Sequence, residues 1–526
     1  MKLKKVTALM LTFALVVGSF TGCGGSSAGD SKATDAKATE SQTQETETGS
    51  TEKQNITFMT YDYEGSPVSG EHSEAVIQEM EDFTNTHVDF TWVPDDNYED
   101  KLSLTLASAD DMPMIISVSK MSAVIVGAAK AGAFWDLNDY IYDSEKYPNL
   151  SQANASVNEG VTIDEQLIGV YKARPIGRYG MGYRADWAEK LGIDTPTTIE
   201  DVYNMMYQFT YGDPDGNGVN DTYGLALCKY TGPFDIIQTW FGVGNQWVEQ
   251  EGKLVPIFQT EEYMEALNWL KKMYDDGLVY EDWAVRDTAT WRDSVKNGEC
   301  GIFIDVLDGS RNIWDYFVNN NITSVVDPSV PASMNLIGSI EGKTLATSGN
   351  NGFFVITKAA DTEEKLEACL SYLDKMCSDE MITLSSYGLE GIHWERDSEG
   401  YLADLDAGDE VSAKAYGALN QTIAYIPNLK ALSPTIKMNE RQELEEKVKK
   451  ENESVAVFNP AIAYLNNSDT YSLSGSTLDK IIDDARTQYI CGQIDETGLK
   501  TAWDNWLAQG GNTVIEEVNA QYTATK

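Results

Sequence analysis

Residues 213–224 read DPDGNGVNDTYG, with an oxygen donor at every second position. Counted as an EF-hand type of calcium loop, Asp213, Asp215, Asn217, Val219 and Asp221 fall on the first five alternate ligand positions. Gly218 stands where the chain must turn sharply. A hard divalent cation takes about six to eight oxygens, and closely alternating carboxylates provide them only if the chain folds back on itself. Gly224 occupies the place where a sensor loop carries a bidentate Glu, so a further ligand comes from elsewhere or from water. The pattern points to structural Ca2+; a metal-free Gly/Asp/Asn turn is the alternative. No other stretch has the spacing of a reaction centre. His72, His87 and His393 are scattered, and there is no H-E-x-x-H pair and no phosphate loop. Gly25-Ser26-Ser27-Ala28-Gly29 matches the G-x-S-x-G pattern of serine hydrolases, but that pattern works only between a strand and a helix, and here it lies in a linker.

The linker follows a basic start, Lys2, Lys4 and Lys5, an apolar run from Val6 to Phe20, and the small pair Thr21-Gly22. That is the layout of a secretory signal, and the run is too short to span a bilayer. Small residues directly before Cys23 resemble a lipobox, in which cleavage precedes the cysteine and its thiol is acylated. Residues 1–22 thus read as a lipoprotein signal peptide, Cys23 as the palmitate-bearing residue, and 23–54 as a disordered tether without an aromatic side chain. Acyl chains would hold the protein to the membrane by the lipid anchor only. A formal charge of −44 repels nucleic acid and anionic lipid, which argues against a polynucleotide partner. The six cysteines form no C-x-x-C pair. With Cys23 used for lipid an odd five remain, against a disulfide framework, and Cys369 and Cys377 read as core residues of a helix.

The elements that must position these groups are alternating strands and helices. Ile56 and Phe58 open a strand; Val76, Ile77, Met80 and Phe83 have helical spacing; Val88, Phe90 and Trp92 alternate again. This is a β-α-β unit and predicts a parallel sheet, with DMPMIISVS as a third strand. GAFWDLNDYI suggests a short helix. Thr197/Thr198 with Glu200 and Asp201 predicts a capped helix start. ECGIFIDV and NGFFVITKAA read as buried strands, and EEKLEACLSYLDKMCSDEM and the region from about 476 onward as helices. Trp269 and Trp503, spaced with leucines, belong to a core. Strands so widely separated suit an α/β fold of two lobes crossed by the chain more than once. The expected division is 55–165 in lobe 1, 166–295 in lobe 2 with the calcium loop, 296–360 back in lobe 1, and 361–526 in lobe 2.

The order of these pieces resembles the family 1 extracellular solute-binding proteins of Gram-positive bacteria, in their lipid-anchored, oligosaccharide-importing branch. The resemblance rests on YRADWAEKLGIDTPTTIEDVYNMMYQFTYGDPDGNGVNDTYGLA (183–226), SYGLEGIHWE (386–395) and YICGQIDETGLKTAWDNWLAQGGNTVIEEVNAQY (489–522), and it covers essentially the whole chain. It implies a periplasmic-binding-protein-like fold with a ligand cleft between the lobes and a hinge of two or three crossovers. It also implies delivery of an oligosaccharide ligand to an ABC transporter permease, a structural calcium ion, and a monomer on the extracellular face of the cytoplasmic membrane.

Sugars are bound by aromatic faces against their C–H surfaces, with planar polar groups reading hydroxyls. Position relative to strands selects Tyr61 and Tyr63, Asp186 and Trp187, Trp240 and Trp247, Asp305, and Glu390 with Trp394 as cleft candidates; burial in a core is the competing reading for each Trp. A secreted carbohydrate-active enzyme would share the acidic, aromatic composition, since a glycosidase needs only two facing carboxylates. An adhesion scaffold would explain tether and calcium but not tandem lobes. A peptide or other solute is an alternative cargo. The combination favours a binding protein that is not an enzyme.

Overall fold

The computed structural model describes residues 53–63, 68–108, 111–405, 409–427 and 436–525. The signal segment, nearly all of the tether, and Cys23 lie outside them. β1 (Gln54–Asp62), α1 (Ser73–Thr84) and β2 (Thr86–Pro94) form the expected unit, the strands parallel and in register from Gln54↔Thr86 to Asp62↔Pro94. β3 (Ile115–Val118) adds parallel to the other side of β1. The chain then forms β4 (Val170–Ala173) and crosses into a second sheet at β5 (Tyr179–Arg184). GAFWDLNDYI is not a helix: Phe134 bridges Thr357, the Trp135 and Leu137 amides donate to the carbonyls of Ile356 and Leu167 instead of within a helix, and turns follow.

The second lobe continues with α2 (Ile199–Tyr211), β6 (Tyr223–Leu225), α3 (Gly232–Trp240), β7 (Cys300–Val306), α4 (Leu307–Asn319) and β8 (Met334–Ile337). α2 shows why the local sequence folds so. The Thr198 hydroxyl accepts from the Asp201 amide, the Asp201 carboxylate accepts from the Thr198 amide, and Val202, Met205, Met206 and Phe209 bury one face. Losing such a cap costs about 1 kcal/mol. The chain returns through β9 (Asn350–Ile356), which pairs antiparallel with β3 and β4, and α5 (Glu363–Met376) packs beside α1. It then re-enters the second lobe for α6 (Glu440–Asn452) and α7 (Asp469–Ile490), followed by the last two helices, Glu496–Trp506 and Asn512–Ala524.

The two larger sheets among the described residues are β2-β1-β3-β9-β4 and β8-β5-β7-β6, each with its own core. In the first, Phe58 meets Phe354 and Tyr372 edge-on, and Cys369 and Cys377 are buried as expected. The second holds Trp187, Phe209, Phe234 and Trp283. The expected lobe boundaries are corrected on three counts. Residues 166–173 belong to the first lobe; 300–345 stay in the second, with β7 central in its sheet; and 363–389 and 413–426 belong to the first. The physical reason is that GIFID and GFFVI are equally apolar strands, and an apolar run does not reveal which sheet it joins.

The crossings are tied together. At the first, 174–178, the Arg174 amide donates to the Gly349 carbonyl, while the Thr347 amide and hydroxyl of the second crossing donate to the carbonyls of Ile176 and Pro175. Asn452 of α6 donates to the carbonyls of Gly177 and Tyr179. A Cβ at Gly177 would lie 2.2 Å from the Lys449 carbonyl oxygen, so only glycine fits there. The third crossing, after Pro427, runs partly outside the described residues.

Candidate functional site

Beside the crossings lies a cleft of about 550 Å³ lined from both lobes. Ser119 and Lys120, just past β3, and Asn351 on β9 come from the first lobe. Tyr179, Asp235, Gln238 and Asn245 come from the second. Antiparallel pairing explains the second set. β5 starts where β7 ends, with Gly180 opposite Asp305 and Tyr179 opposite Val306, so the start of one strand and the end of the other share a rim. α3 is aimed by Arg486 of α7, which is buried and donates to the Asp235 carboxylate at 2.5 Å, to the Gln238 side-chain oxygen and to the Thr231 hydroxyl. A buried guanidinium needs such partners, and in meeting that need it fixes two cleft side chains.

Asp305 is half-buried and has no cation at ion-pair distance among the described residues. Burial pushes its carboxyl up to about 6, partly offset by Arg178 and Arg292. Burial, and then the Asp305 charge, raise the phenols of Tyr179 and Tyr230, which therefore stay protonated at neutral pH. The rim thus carries carboxylate acceptors, phenol donors and two-way amides, the chemistry that reads hydroxyl groups.

The residues singled out in the sequence are not brought together as one site. Tyr61 is buried at the end of β1, its ring stacked on Tyr98 (3.6 Å between centroids) and on Tyr63 (5.5 Å), and Tyr63 is 57 % exposed. β1 and β3 run parallel, so this stack lies on the edge that also presents Ser119. Asp186 is not a cleft residue. It is 2 % exposed, accepts from Nε and Nη2 of Arg184 at 2.8 Å each, and accepts from the Val325 amide. Trp187, Trp240 and Trp247 are likewise in the second core, where large apolar rings fill volume that no ligand reaches. Glu390 and Trp394 line a separate hollow formed within the first lobe, with the Trp394 indole spent on the Gly388 carbonyl. Sequence reasoning missed Tyr179, Asp235, Gln238 and Asn245. No local pattern marked them, since Asp235 and Gln238 lie on a helix and meet Tyr179 and Asn245 only through the fold.

The loop at 213–221 lies between α2 and β6. Gly216 and Gly218 both have φ +78, the left-handed conformation the turn requires. The Gly218 amide donates to the Asp213 carboxylate, and the Val219 amide to the Asn217 side-chain oxygen. Asn217 directs its amide nitrogen between the carboxylates of Asp215 (2.7 Å) and Asp221 (3.2 Å). A donor nitrogen thus stands where these two carboxylates converge, and rotating that amide would turn its oxygen inward instead. The donor set therefore fits a hard cation. Among the described residues no three His, Cys, Asp or Glu side chains are grouped closely enough to ligate a metal without such a rearrangement.

Residues 67–373, more than half of the chain, match the family described as bacterial extracellular solute-binding proteins. The chain belongs to that family. It is 36% identical over 471 residues to lipoprotein LipO of Bacillus subtilis, covering 88% of this chain and 91% of the relative. It is 31% identical over 462 residues to the polygalacturonan/rhamnogalacturonan-binding protein YtcQ of the same organism, covering 86% and 89%. Among solved structures, the ABC-transporter substrate-binding protein FusA of Streptococcus pneumoniae in complex with kestose superposes with a TM-score of 0.59 at 18% identity, covering 90% of this chain and all of that one. A second FusA structure is described as an EF-hand mutant. At that identity the likeness is one of fold, and it establishes the two-lobed architecture of this solute-binding protein.

Proposed function

We propose that the protein captures an oligosaccharide in the cleft beside its hinge, outside the cell, and passes it to an ABC permease. The observation that carries this reading is the cleft itself: hydroxyl-reading groups from both lobes meet beside crossings that are hydrogen-bonded to each other. A ligand touching both faces favours the closed arrangement by its differential affinity, and the closed surface is what a permease would recognise. Full-length similarity to YtcQ, whose name gives a polysaccharide ligand, supports the choice of sugar over peptide. We assign the reading of hydroxyls to Asp305, Asp235, Gln238 and Asn245, and stacking to Tyr63 and Tyr179.

Asp213, Asp215, Asn217, the Val219 carbonyl and Asp221 would hold Ca2+, which would stiffen the turn between α2 and β6. Cys23 would carry the lipid, in keeping with the description of LipO as a lipoprotein. No described helix is long and apolar enough to cross a membrane. The protein acts as a monomer and leaves its ligand chemically intact.

The test is calorimetry against a panel of plant and host oligosaccharides, with the ligand recovered and sized afterwards. Micromolar or tighter binding of an intact sugar supports the reading. Shortened sugar would make the protein an enzyme, and binding of peptides alone would overturn the sugar assignment.

A further inference from the structure

A second pocket of about 480 Å³ meets the first at Asn351, which lines both. Its chemistry is different. Four cations, Lys172, Arg174, Arg178 and Lys449, line it against two carboxylates, Asp308 and Glu446, in a chain whose formal charge is −44. Three of the cations are engaged. Arg178 pairs with both oxygens of Asp308, Lys449 reaches Glu445 and Glu446, and Lys172 donates to Gln421. Arg174 is exposed into the pocket and has no carboxylate at ion-pair distance among the described residues. Burial, and then the charge of Arg178, lower its pKa.

Arg178, Lys449 and Lys172 have structural partners, and Arg174 is the cation whose side chain has no such use among the described residues. Arg174 stands on the first crossing, where its backbone amide already binds Gly349, and a neutral side chain would serve the backbone equally well. A planar guanidinium with its donors unspent matches a carboxylate, which it binds through two parallel hydrogen bonds. Asn420 and Gln421 of the first lobe also line the pocket, their side chains tied to Tyr425 and Lys172, and the pocket is contributed by both lobes. Residues from both lobes make its occupation dependent on closure, as at the first pocket.

We infer that this second pocket takes a uronate unit, so that the cargo is an acidic oligosaccharide whose carboxylate pairs with Arg174. The inference rests on the oligosaccharide reading above and names its substrate class. The acidic surface opposes a small anionic ligand only weakly at physiological salt, because screening shortens its field, and the local cationic pocket can select it.

The experiment is calorimetry of the protein with short oligomers of galacturonate, glucuronate and mannuronate, each beside its fully methyl-esterified form, which keeps the sugar and removes the charge. The expected result is that one acidic oligomer binds at least tenfold more tightly than its ester, with an affinity that falls as salt rises. Arg174→Gln is expected to erase that preference, and Arg174→Lys to restore part of it. Unchanged melting temperatures in both variants would show that the fold is intact. Equal binding of acid and ester, or a preference that survives Arg174→Gln, would overturn the inference. Binding of neutral oligosaccharides with none of the acidic ones would overturn it while leaving the oligosaccharide reading in place. Absence of binding by any sugar would overturn both.

Discussion

Asp186 and Asp305 belong to the same lobe, follow strands of the same sheet and looked equivalent in the sequence, yet they have opposite roles in the structure. β5 runs away from the hinge, so Asp186, just beyond its end, lies at the far side of the sheet and is locked to Arg184. β7 runs the other way, so Asp305 ends at the rim opposite Gly180. The lesson is that in a mixed sheet the end of a strand is not by itself a functional address. Only strand direction decides which ends meet the cleft, and direction is set by pairing with residues more than a hundred positions away.

The largest effect that tests this contrast is Asp186→Ala. Removing one partner of a buried pair strands the other charge, at about 3–5 kcal/mol. The melting temperature should fall steeply while the folded fraction binds sugar with unaltered affinity; lost binding at unchanged stability would return Asp186 to the cleft and break the comparison. Calcium comes next. The ion is expected to raise stability by about 2.7 kcal/mol at a hundredfold excess over its Kd. A chelator should lower the melting temperature without changing sugar affinity, and Asp215→Ala should remove the calcium response. A chelator that abolished binding at constant melting temperature would place the metal in the recognition step instead.

Asp305→Asn sharpens the contrast through pH. The folded carboxyl is raised from 3.8 to about 6, so the folded state holds its proton more tightly than the unfolded chain. The stability this provides is complete below pH 3.8 and is lost as pH rises through about 6. The Asn variant should therefore be more stable than the parent at pH 8, on the order of 1 kcal/mol, and no more stable at pH 4. Sugar binding at pH 7 should weaken severalfold in the same variant. A denaturation series at the two pH values checks the first expectation and calorimetry the second; equal stability differences at both would remove Asp305 from the rim. The smallest effect is expected at Tyr63→Ala. Loss of an exposed stacking face should reduce affinity by about 1 kcal/mol, with stability changed by less than about 0.5 kcal/mol.

Much of the fold could be read from local pattern. The β1-α1-β2 unit, the Thr198 cap, the buried Cys369 and Cys377, and the terminal helices all follow from periods of two or of 3.6 and from end signals that neighbouring residues decide. The calcium-type loop was legible for the same reason, since its donors and its turn lie within one short stretch. The cleft was not. Trp187, Trp240 and Trp247 were plausible sugar platforms by type, but a large ring suits a core as well as a ligand, and nothing in a single sequence separates the two uses. Tyr179, Asp235 and Asp305 are neighbours only because β5 and β7 pair antiparallel and Arg486 holds α3 in place.

What the sequence determined by itself was therefore everything set by short-range geometry: the elements, their caps, the loop with its alternating oxygens, and the kind of fold these make together. The tertiary structure decided the lobe to which each strand belongs, the end of each strand that faces the hinge, and the point where unpaired charge gathers at Arg174. These depend on which apolar surfaces close on one another. That choice is made by the whole chain at once, because burial is non-directional and rewards any pairing that excludes water.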